Sequence, residues 1–165
     1  MKNAIRKLHH AAYRCRDSEE TRQFYEDFLG LSLVDAFEIN LTATGRSTSV
    51  LHSFFAMADD SCIAFFEDPG QPFDFKNQND FDLHIALEVS QEHLLTMFKR
   101  GTSEAIDTRG ISDHGAYDSV YFRDPNGYVI ELTANKGQTQ TQAENSAHKR
   151  IQAWQEKQRK KQIKG

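Results

Sequence analysis

The stretch HAAYRCRDSEETRQFYEDFLGLSL, residues 10–33, has the pattern of a strand, a helix and the start of a second strand. HAAYRC is a short strand-like segment, and Asp17 or Ser18 is the candidate N-cap of a helix that runs through EETRQFYEDFL to Gly30. The apolar runs LSLVDAFEI, VLHSFFAM and CIAFFE then predict three strands. This half of the chain therefore has the order β-α-β-β-β.

The second half repeats that order. DLHIALEV predicts a strand, Ser90 begins a helix that runs through QEHLLTMFKR to Gly101, and strands follow near EAIDTRGI, SVYF and YVIEL. HIALEV from His84 aligns with HAAYRC from His10, which sets the register of the two copies. A repeated unit of this kind stacks on its copy because neither buries its sheet alone. The sequence predicts an α+β fold of two β-α-β-β-β modules, at about residues 5–70 and 80–135, within one domain of residues 1–135.

The end of the second module reads HGAYDSVYFRDPNGYVIEL, residues 114–132. Its DPNG segment has the residues of a tight turn, so SVYF and YVIEL are expected to pair as a hairpin. Glu131 then lies inside the second strand of that hairpin. A buried carboxylate without a partner is costly, so Glu131 needs a hydrogen-bonding partner, a cation or a metal ion.

Charge divides the chain into an acidic body and a basic tail. Residues 136–165 hold 8 Lys/Arg and 2 Asp/Glu, a net charge of +6, and the other 12 Lys/Arg and 22 Asp/Glu give residues 1–135 a net charge of −10. After the polar linker KGQTQTQ, the tail predicts a helix with an apolar stripe formed by Ala143, Ala147, Ile151 and Trp154. This stripe is expected to contact the body or a second subunit. An acidic body and the lack of interleaved aromatic residues argue against a nucleic-acid-binding arm.

Several classes of protein are disfavoured by what the sequence lacks. No apolar run is long enough to span a bilayer and the N-terminus has no signal-peptide pattern, so a soluble, cytoplasmic protein without membrane association is expected. Cys15 and Cys62 form no CxxC motif and are expected to be reduced and buried. No Gly-rich phosphate loop or nucleophile elbow is present, which argues against kinases and hydrolases.

Residues 5–135 resemble the vicinal oxygen chelate superfamily, which includes glyoxalase I, fosfomycin-resistance proteins, bleomycin-binding proteins and extradiol dioxygenases. HAAYRCRDSEETRQFYEDFLGLSL carries the resemblance in the first module, and HIALEV with YFRDPNGYVIEL carries it in the second. The resemblance implies a cupped mixed sheet around a divalent metal, with ligands from the first and last strands of the modules. Members with two modules commonly pair, so it also implies a homodimer, in which the site is built within one chain or across two.

Transferred residue by residue, the resemblance implies that His10, His84 and Glu131 bind the metal. Two imidazoles and one carboxylate leave open positions on a divalent ion, which suits Fe(II) and a bidentate substrate. Mn, Zn and Ni are the alternatives to Fe(II). His9 also competes with His10, but only His10 matches the register of His84, and strand alternation would send the two neighbours to opposite faces.

Two further residues favour the extradiol dioxygenases within the superfamily. His114 and Tyr121 precede the DPNG turn and Glu131 with the order and spacing of the dioxygenase pattern, although Ser112 departs from the residue types usual at its position. A histidine transfers a proton near neutral pH, and a tyrosine donates a hydrogen bond to a developing anion. These roles make His114 and Tyr121 the candidate catalytic residues for ring cleavage of a small catecholic substrate. Packing of Tyr121 and a turn role for His114 are the structural alternatives.

Other functions of the superfamily are distinguished by a fourth ligand. Glyoxalase I supplies a second carboxylate from the last strand of the other module, where this chain has Ala64 or Phe65, and Glu67 follows at the strand's end. Three ligands leave more room for a diol and oxygen, whereas Glu67 as a fourth ligand would suit a metal-dependent lyase, isomerase or thiol transferase. A metal-free binding protein is the third alternative. His52 could point into the cup or face a neighbouring strand.

Overall fold

The computed structural model describes residues 4–137 and 144–162. In the first module, the helix that begins at Ser18 continues as a π-helical segment over Gln23–Phe28. The elements of the first module are β1 (His10–Cys15), α1 (Ser18–Arg22), β2 (Ser32–Leu41), β3 (Ser47–Ala56) and β4 (Cys62–Glu67). Those of the second are β5 (Ile85–Glu88), α2 (Gln91–Ser103), β6 (Thr108–Asp113), β7 (Tyr117–Arg123) and β8 (Val129–Asn135), followed by α3 (Glu144–Gln162). The predicted α+β fold of two β-α-β-β-β modules is confirmed.

Each module forms its own four-stranded sheet, with the order β1-β4-β3-β2 in the first and β5-β8-β7-β6 in the second. The first and last strands of each module pair in parallel, and the other pairs are antiparallel. The two sheets therefore place equivalent strands at equivalent positions. This arrangement follows from the repeat in the sequence, because each copy carries the same order of strand, capped helix and three strands.

One face of each sheet is packed against helices and the other carries the candidate site. In β4, Ile63 and Phe65 belong to the buried core, and in β8 Ile130 and Leu132 do so. Glu131 lies between those last two residues and so points to the opposite face of its sheet. The alternation along β8 thus explains how an apolar strand can present a carboxylate.

The two modules are joined by a buried contact between the π-helical segment and the DPNG turn. Tyr25 donates a hydrogen bond from its hydroxyl to Asp124 at 3.0 Å, and Asn126 donates to Thr21 at 3.2 Å. Burial raises the pKa of Tyr25 well above its usual value, and the charge of Asp124 raises it further. Burial also raises the pKa of Asp124. The DPNG turn therefore connects the two strands of the hairpin and also links the two modules through buried hydrogen bonds.

The hairpin turn itself depends on one glycine. The amide of Gly127 donates to the carbonyl of Asp124 at 3.0 Å, which closes the turn. Gly127 has φ of +94°, and a Cβ there would lie 2.7 Å from the amide nitrogen of Lys76. Asn126, which precedes it in the turn, does not have positive φ. Gly127 is thus required both by its dihedral angle and by the approach of the preceding loop.

The N-caps of α1 and α2 are at residues that the sequence predicts, but the C-terminal end of α2 differs from its prediction. The side chain of Asp17 accepts from the amide of Glu20 at 2.8 Å, and Ser90 caps α2. The predicted end of α2 at Gly101 is wrong, because the helix continues to Ser103. Gly101 instead packs against β6 and β7, where its missing side chain leaves room for neighbouring side chains.

We expect Gly101→Ala to destabilise the protein. A Cβ at this position would lie 2.6 Å from a ring carbon of Phe122, which is 1% exposed, and would also contact Thr108. Such overpacking costs about 1–3 kcal/mol, which exceeds the gain of about 1 kcal/mol in helix propensity. Urea unfolding should show a lower midpoint for Gly101→Ala, and not for the exposed control Thr102→Ala. An unchanged midpoint would contradict this account of helix packing.

The tail forms the helix that the sequence predicts. Within α3, Ile151 is 63% exposed and Trp154 is 59% exposed, so these two members of the apolar stripe are open to solvent in the single chain. Ala143, the first member of the stripe, lies outside the described residues. Over the two described ranges, no helix has the length and apolar character needed to cross a lipid bilayer.

Candidate metal centre

Glu131 lies in the middle of β8 with Ala86 of β5 on one side and Tyr121 of β7 on the other. Glu131 is 5% exposed, so its carboxylate is largely removed from water. The hydroxyls of Ser119 and Tyr121 both donate to its Oε1, the second at 3.3 Å. These donors supply part of the compensation that a buried carboxylate requires.

His84 faces the other oxygen of the same carboxylate. Its Nε2 lies 3.0 Å from Oε2 of Glu131, while its Nδ1 lies 2.7 Å from the backbone carbonyl of Asp80. A carbonyl oxygen only accepts, so Nδ1 carries a hydrogen. An ionised carboxylate also only accepts. The space between Nε2 and Oε2 therefore suits a shared proton or a cation.

The position of His84 differs from the simple strand prediction. β5 begins at Ile85, so His84 is the last residue of the preceding loop. The contact of its ring with the carbonyl of Asp80, four residues earlier, fixes the ring through the loop. A hydrogen bond from the second ring nitrogen to a carbonyl is the usual way in which a metal-binding histidine is oriented.

Tyr121 and His114 extend this group of contacts. The Nε2 of His114 lies 3.1 Å from the hydroxyl of Tyr121, which itself contacts Glu131. Burial raises the pKa of Tyr121 above its usual value, and the negative charge of Glu131 raises it further. Tyr121 therefore keeps its proton at neutral pH and connects an exposed histidine to a buried carboxylate.

His10 lies on the other sheet. Its ring is 5.6 Å from that of Phe54 and 6.4 Å from that of His52, measured between centroids, so it faces the side of the sheet opposite the helix. Its Nδ1 is 2.8 Å from Nδ1 of His9, and the expected separation of these two neighbours to opposite faces is wrong because His9 precedes β1. Within residues 4–137 and 144–162, no three His, Cys, Asp or Glu side chains form a cluster that could hold a metal ion. The structure therefore brings His84 and Glu131 into contact, but it does not bring His10 to them.

The register of the sheets locates the position in the first module that is equivalent to Glu131. Ala64 pairs with Ala12, two residues after His10, just as Glu131 pairs with Ala86, two residues after His84. Ala64 thus occupies the place equivalent to Glu131. Glu67 lies three residues further, and its Oε2 accepts from the amide of Ser18 at 2.8 Å at the start of α1. Glu67 therefore helps to cap the N-terminus of α1, which explains an acidic residue at the end of β4.

His52 is buried within its sheet, and Ser119 and Asp80 contact the site although no sequence motif marks them. His52 is buried at 6% exposure, its ring stacks on Phe66 at 3.7 Å, and its Nδ1 lies 2.9 Å from the carbonyl of Phe65. Ser119 was not singled out, although it lies two residues before Tyr121 and so on the same face of β7. Asp80 has no such signal in the sequence, because it lies in a loop and acts through its backbone.

The donor set is suitable for part of a divalent metal site. A neutral imidazole nitrogen and a carboxylate oxygen are ligands for Fe(II), Mn(II), Zn(II) and similar ions. His84 and Glu131 present these atoms 3.0 Å apart, and each is oriented by a hydrogen bond on its far side. The two residues therefore fit as neighbouring ligands, and the third would have to approach from another surface.

Comparison with known families gives one match over most of the chain. The family described as the Glyoxalase/Bleomycin resistance protein/Dioxygenase superfamily matches residues 7–132. This range covers nearly all of both modules and contains all five candidate site residues. A comparison with curated proteins gives no match.

Solved structures show the same architecture. A glyoxalase family protein from Bacillus cereus is 18% identical with a TM-score of 0.65, over 82% of this chain and 98% of that one. A glyoxalase/dioxygenase from Nostoc punctiforme is 23% identical with a TM-score of 0.62, over 82% and 94%. A variant of the fosfomycin resistance protein FosX from Listeria monocytogenes, complexed with Mn(II) and 1S,2S-dihydroxypropylphosphonic acid, is 19% identical with a TM-score of 0.57, over 81% and 95%. At these identities the likeness shows a shared fold.

Proposed function

Because the chain belongs to the Glyoxalase/Bleomycin resistance protein/Dioxygenase superfamily, we propose that it is a metal-dependent, extradiol-type dioxygenase that cleaves a small catecholic or related substrate. The observation that carries the proposal is the contact series from His114 through Tyr121 to Glu131, at 3.1 and 3.3 Å. It joins both candidate catalytic residues to a candidate ligand. Oxygen consumption with catechols by Fe(II)-loaded protein tests the proposal.

In this proposal His84, Glu131 and His10 hold one divalent ion, most suitably Fe(II), with Mn, Zn and Ni as alternatives. The FosX structure with Mn(II) and a dihydroxy compound supports the choice of a divalent metal and of a substrate with adjacent oxygens. When bound, such an ion would supply Lewis acidity to a substrate with adjacent oxygens and would allow chemistry with dioxygen.

The residues of this chain would manage the protons of the reaction. A catechol has two hydroxyl groups, and at least one proton leaves as the substrate binds. His114 is exposed and within 3.1 Å of the Tyr121 hydroxyl, so it can accept this proton and release it to water. Tyr121 has one hydroxyl hydrogen, which it can direct either to Glu131 or to a substrate oxygen that becomes negative. The same hydroxyl therefore serves the ligand and the reacting atoms.

A second copy of the chain would supply the missing ligand. Apolar side chains are exposed beside each half of the site: Phe37 is 44% exposed on the sheet of His10, and Phe81 is fully exposed three residues before His84. Covering both surfaces by the other copy would bring His10 of one chain towards His84 and Glu131 of its partner. We therefore propose a homodimer whose two equivalent sites each use both chains.

Mixing two inactive variants tests this arrangement. His10→Ala and Glu131→Ala should each lose tight metal binding, because every site in either homodimer lacks one ligand. After dissociation and random reassociation of an equal mixture, half of the dimers should contain one intact site, which restores about one quarter of the wild-type sites. Elemental analysis of the reassociated protein gives the metal content per chain.

The control for that experiment is the mixture of His84→Ala with Glu131→Ala. Both residues lie on the same module, so no reassociation can combine them in one intact site, and metal content should stay low. Recovery in this control, or no recovery with His10→Ala when mixed dimers have formed, would contradict a site shared between copies.

The remaining functions of the superfamily are less well supported by this site. A metal-dependent lyase, isomerase or thiol transferase with four protein ligands would need a carboxylate where Ala64 lies, and Glu67 is occupied at the start of α1. A metal-free binding protein would not need the oriented pair of His84 and Glu131. Conversion of a glutathione–methylglyoxal adduct without oxygen uptake would favour the first of these alternatives.

A further inference from the structure

The loop between β4 and β5 delivers His84 to the site. β4 ends at Glu67 and β5 begins at Ile85, and the connection between them contains no helix or strand. Loops of this length inside a compact domain commonly have a function. This one is fastened to the DPNG turn, where the amide of Lys76 donates to the carbonyl of Asn126 at 2.8 Å and that of Gln78 donates to Gly127 at 3.2 Å. The last part of the loop, residues 79–84, lies beyond these two attachments.

Asp80 makes two contacts of different kinds in that last part. Its backbone carbonyl accepts from Nδ1 of His84 at 2.7 Å, and its carboxylate forms an ion pair with Arg109 of β6. The first contact orients a candidate metal ligand. The second connects the loop to the sheet that carries Glu131. Arg109 therefore holds Asp80 in place, and the carbonyl of Asp80 in turn orients the ring of His84.

Arg109 also contacts the catalytic side of the site. Its guanidinium carbon lies 4.6 Å from the centroid of the Tyr121 ring, and Arg109 pairs with Tyr121 in the register of β6 and β7. A cation over the face of a tyrosine is attracted to its ring, by about 0.5–1 kcal/mol at exposed sites. One side chain thus touches both the loop that holds His84 and the ring that contacts Glu131 and His114.

We propose that Arg109 is a positioning residue that holds the His84 loop and the Tyr121 ring in fixed places relative to Glu131. This inference rests on the proposed function, because it assigns Arg109 a role in metal binding and turnover. The Arg109 side chain is open to solvent whereas that of Asp80 is 25% exposed, and an ion pair with an exposed partner adds little to global stability. Arg109 is 59% exposed, so its effect should be local.

Hydrogen exchange tests the positioning without a metal. The amides of Asp82 and Leu83 both donate to the carbonyl of Asn79, at 3.0 and 3.2 Å, and report the order of this loop. In Arg109→Gln their exchange should accelerate at least about tenfold, because the loop loses its attachment to β6 and opens more often. Exchange at Val89, whose amide donates to Thr133, should not change.

Metal affinity tests the consequence. Arg109→Gln and Asp80→Asn should each weaken binding of Mn(II) by about 10- to 100-fold, as is typical when a residue that orients a ligand is changed. The double variant should be no weaker than the worse single variant, because both changes break the same connection. Arg109→Lys retains the charge and should recover most of the affinity. Isothermal titration of the dimeric protein gives these constants.

The matched control is Arg16→Gln, which removes an arginine of similar exposure from an ion pair with Glu20 far from the candidate ligands. Its loop exchange and Mn(II) affinity should equal those of the wild type, and the thermal midpoints of both arginine variants should be similar. Equal exchange in wild-type and Arg109→Gln protein, or additive losses in the double variant, would overturn the inference. If wild-type protein binds no metal while Arg109→Gln still loosens the loop, the proposed function fails and the positioning of His84 stands.

Discussion

Glu131→Ala is expected to abolish the binding of one divalent ion per chain. The carboxylate is the central group of the site, since His84 faces one of its oxygens and Ser119 and Tyr121 donate to the other. Removing a direct ligand should weaken metal binding by more than about 100-fold, the upper range for residues that only orient a ligand. His84→Ala should have the same effect. Elemental analysis after anaerobic loading with Fe(II) measures the loss.

Two controls separate ligand loss from a folding defect. Glu131→Gln keeps the size of the side chain and one carbonyl oxygen that can accept from Ser119, but it removes the charge that a divalent ion requires. Glu88→Ala removes an exposed carboxylate two residues after Ala86, the neighbour of Glu131 in the sheet, and should bind metal normally. Full metal content in folded Glu131→Ala protein would show that Glu131 is not a ligand. No specific metal in the wild type would refute the enzyme proposal as a whole.

Tyr121→Phe and His114→Ala should reduce turnover strongly while metal content stays unchanged. Tyr121 contacts Glu131 and His114 contacts Tyr121, and neither is a candidate ligand. Deletion of a positioned acid or base typically costs about 100- to 10,000-fold in rate. Fe(II)-loaded wild-type protein should consume oxygen with simple catechols and form a yellow ring-opened semialdehyde. An oxygen electrode and the visible absorbance measure the two activities.

Tyr117→Phe is the matched control for these variants. Tyr117 lies on the same strand, and its ring is 5.1 Å from that of His114, yet its hydroxyl has no contact with Glu131 among the described residues. Its turnover should remain close to that of the wild type. If Tyr121→Phe and Tyr117→Phe retain equal activity, proton transfer through Tyr121 is wrong. If no catechol supports oxygen uptake and Zn or Ni supports conversion of a thiol adduct, the lyase alternative replaces the dioxygenase proposal.

The sequence alone determined the two repeated modules and the order of their strands and helices. Strand alternation, Asp17 and Ser90 as N-caps, and the DPNG turn act over a few neighbouring residues, so they can be identified without knowing the rest of the fold. The sequence also placed Glu131 inside the last strand, and the structure shows that it lies on the face opposite Ile130 and Leu132 of the core. The spacing of His114, Tyr121 and Glu131 likewise predicted residues that the structure brings into contact.

Only the tertiary structure decided which side chains meet from distant parts of the chain. Asp80 and Arg109 are 29 positions apart in the sequence, and no periodicity links a loop carbonyl with an arginine of β6. Glu67 had a plausible position for a metal ligand in the sequence, but sheet register assigns that position to Ala64 and leaves Glu67 at the start of α1. Local patterns specify an element and its exposed face, whereas the separation of His10 from His84 and Glu131 depends on how whole sheets pack.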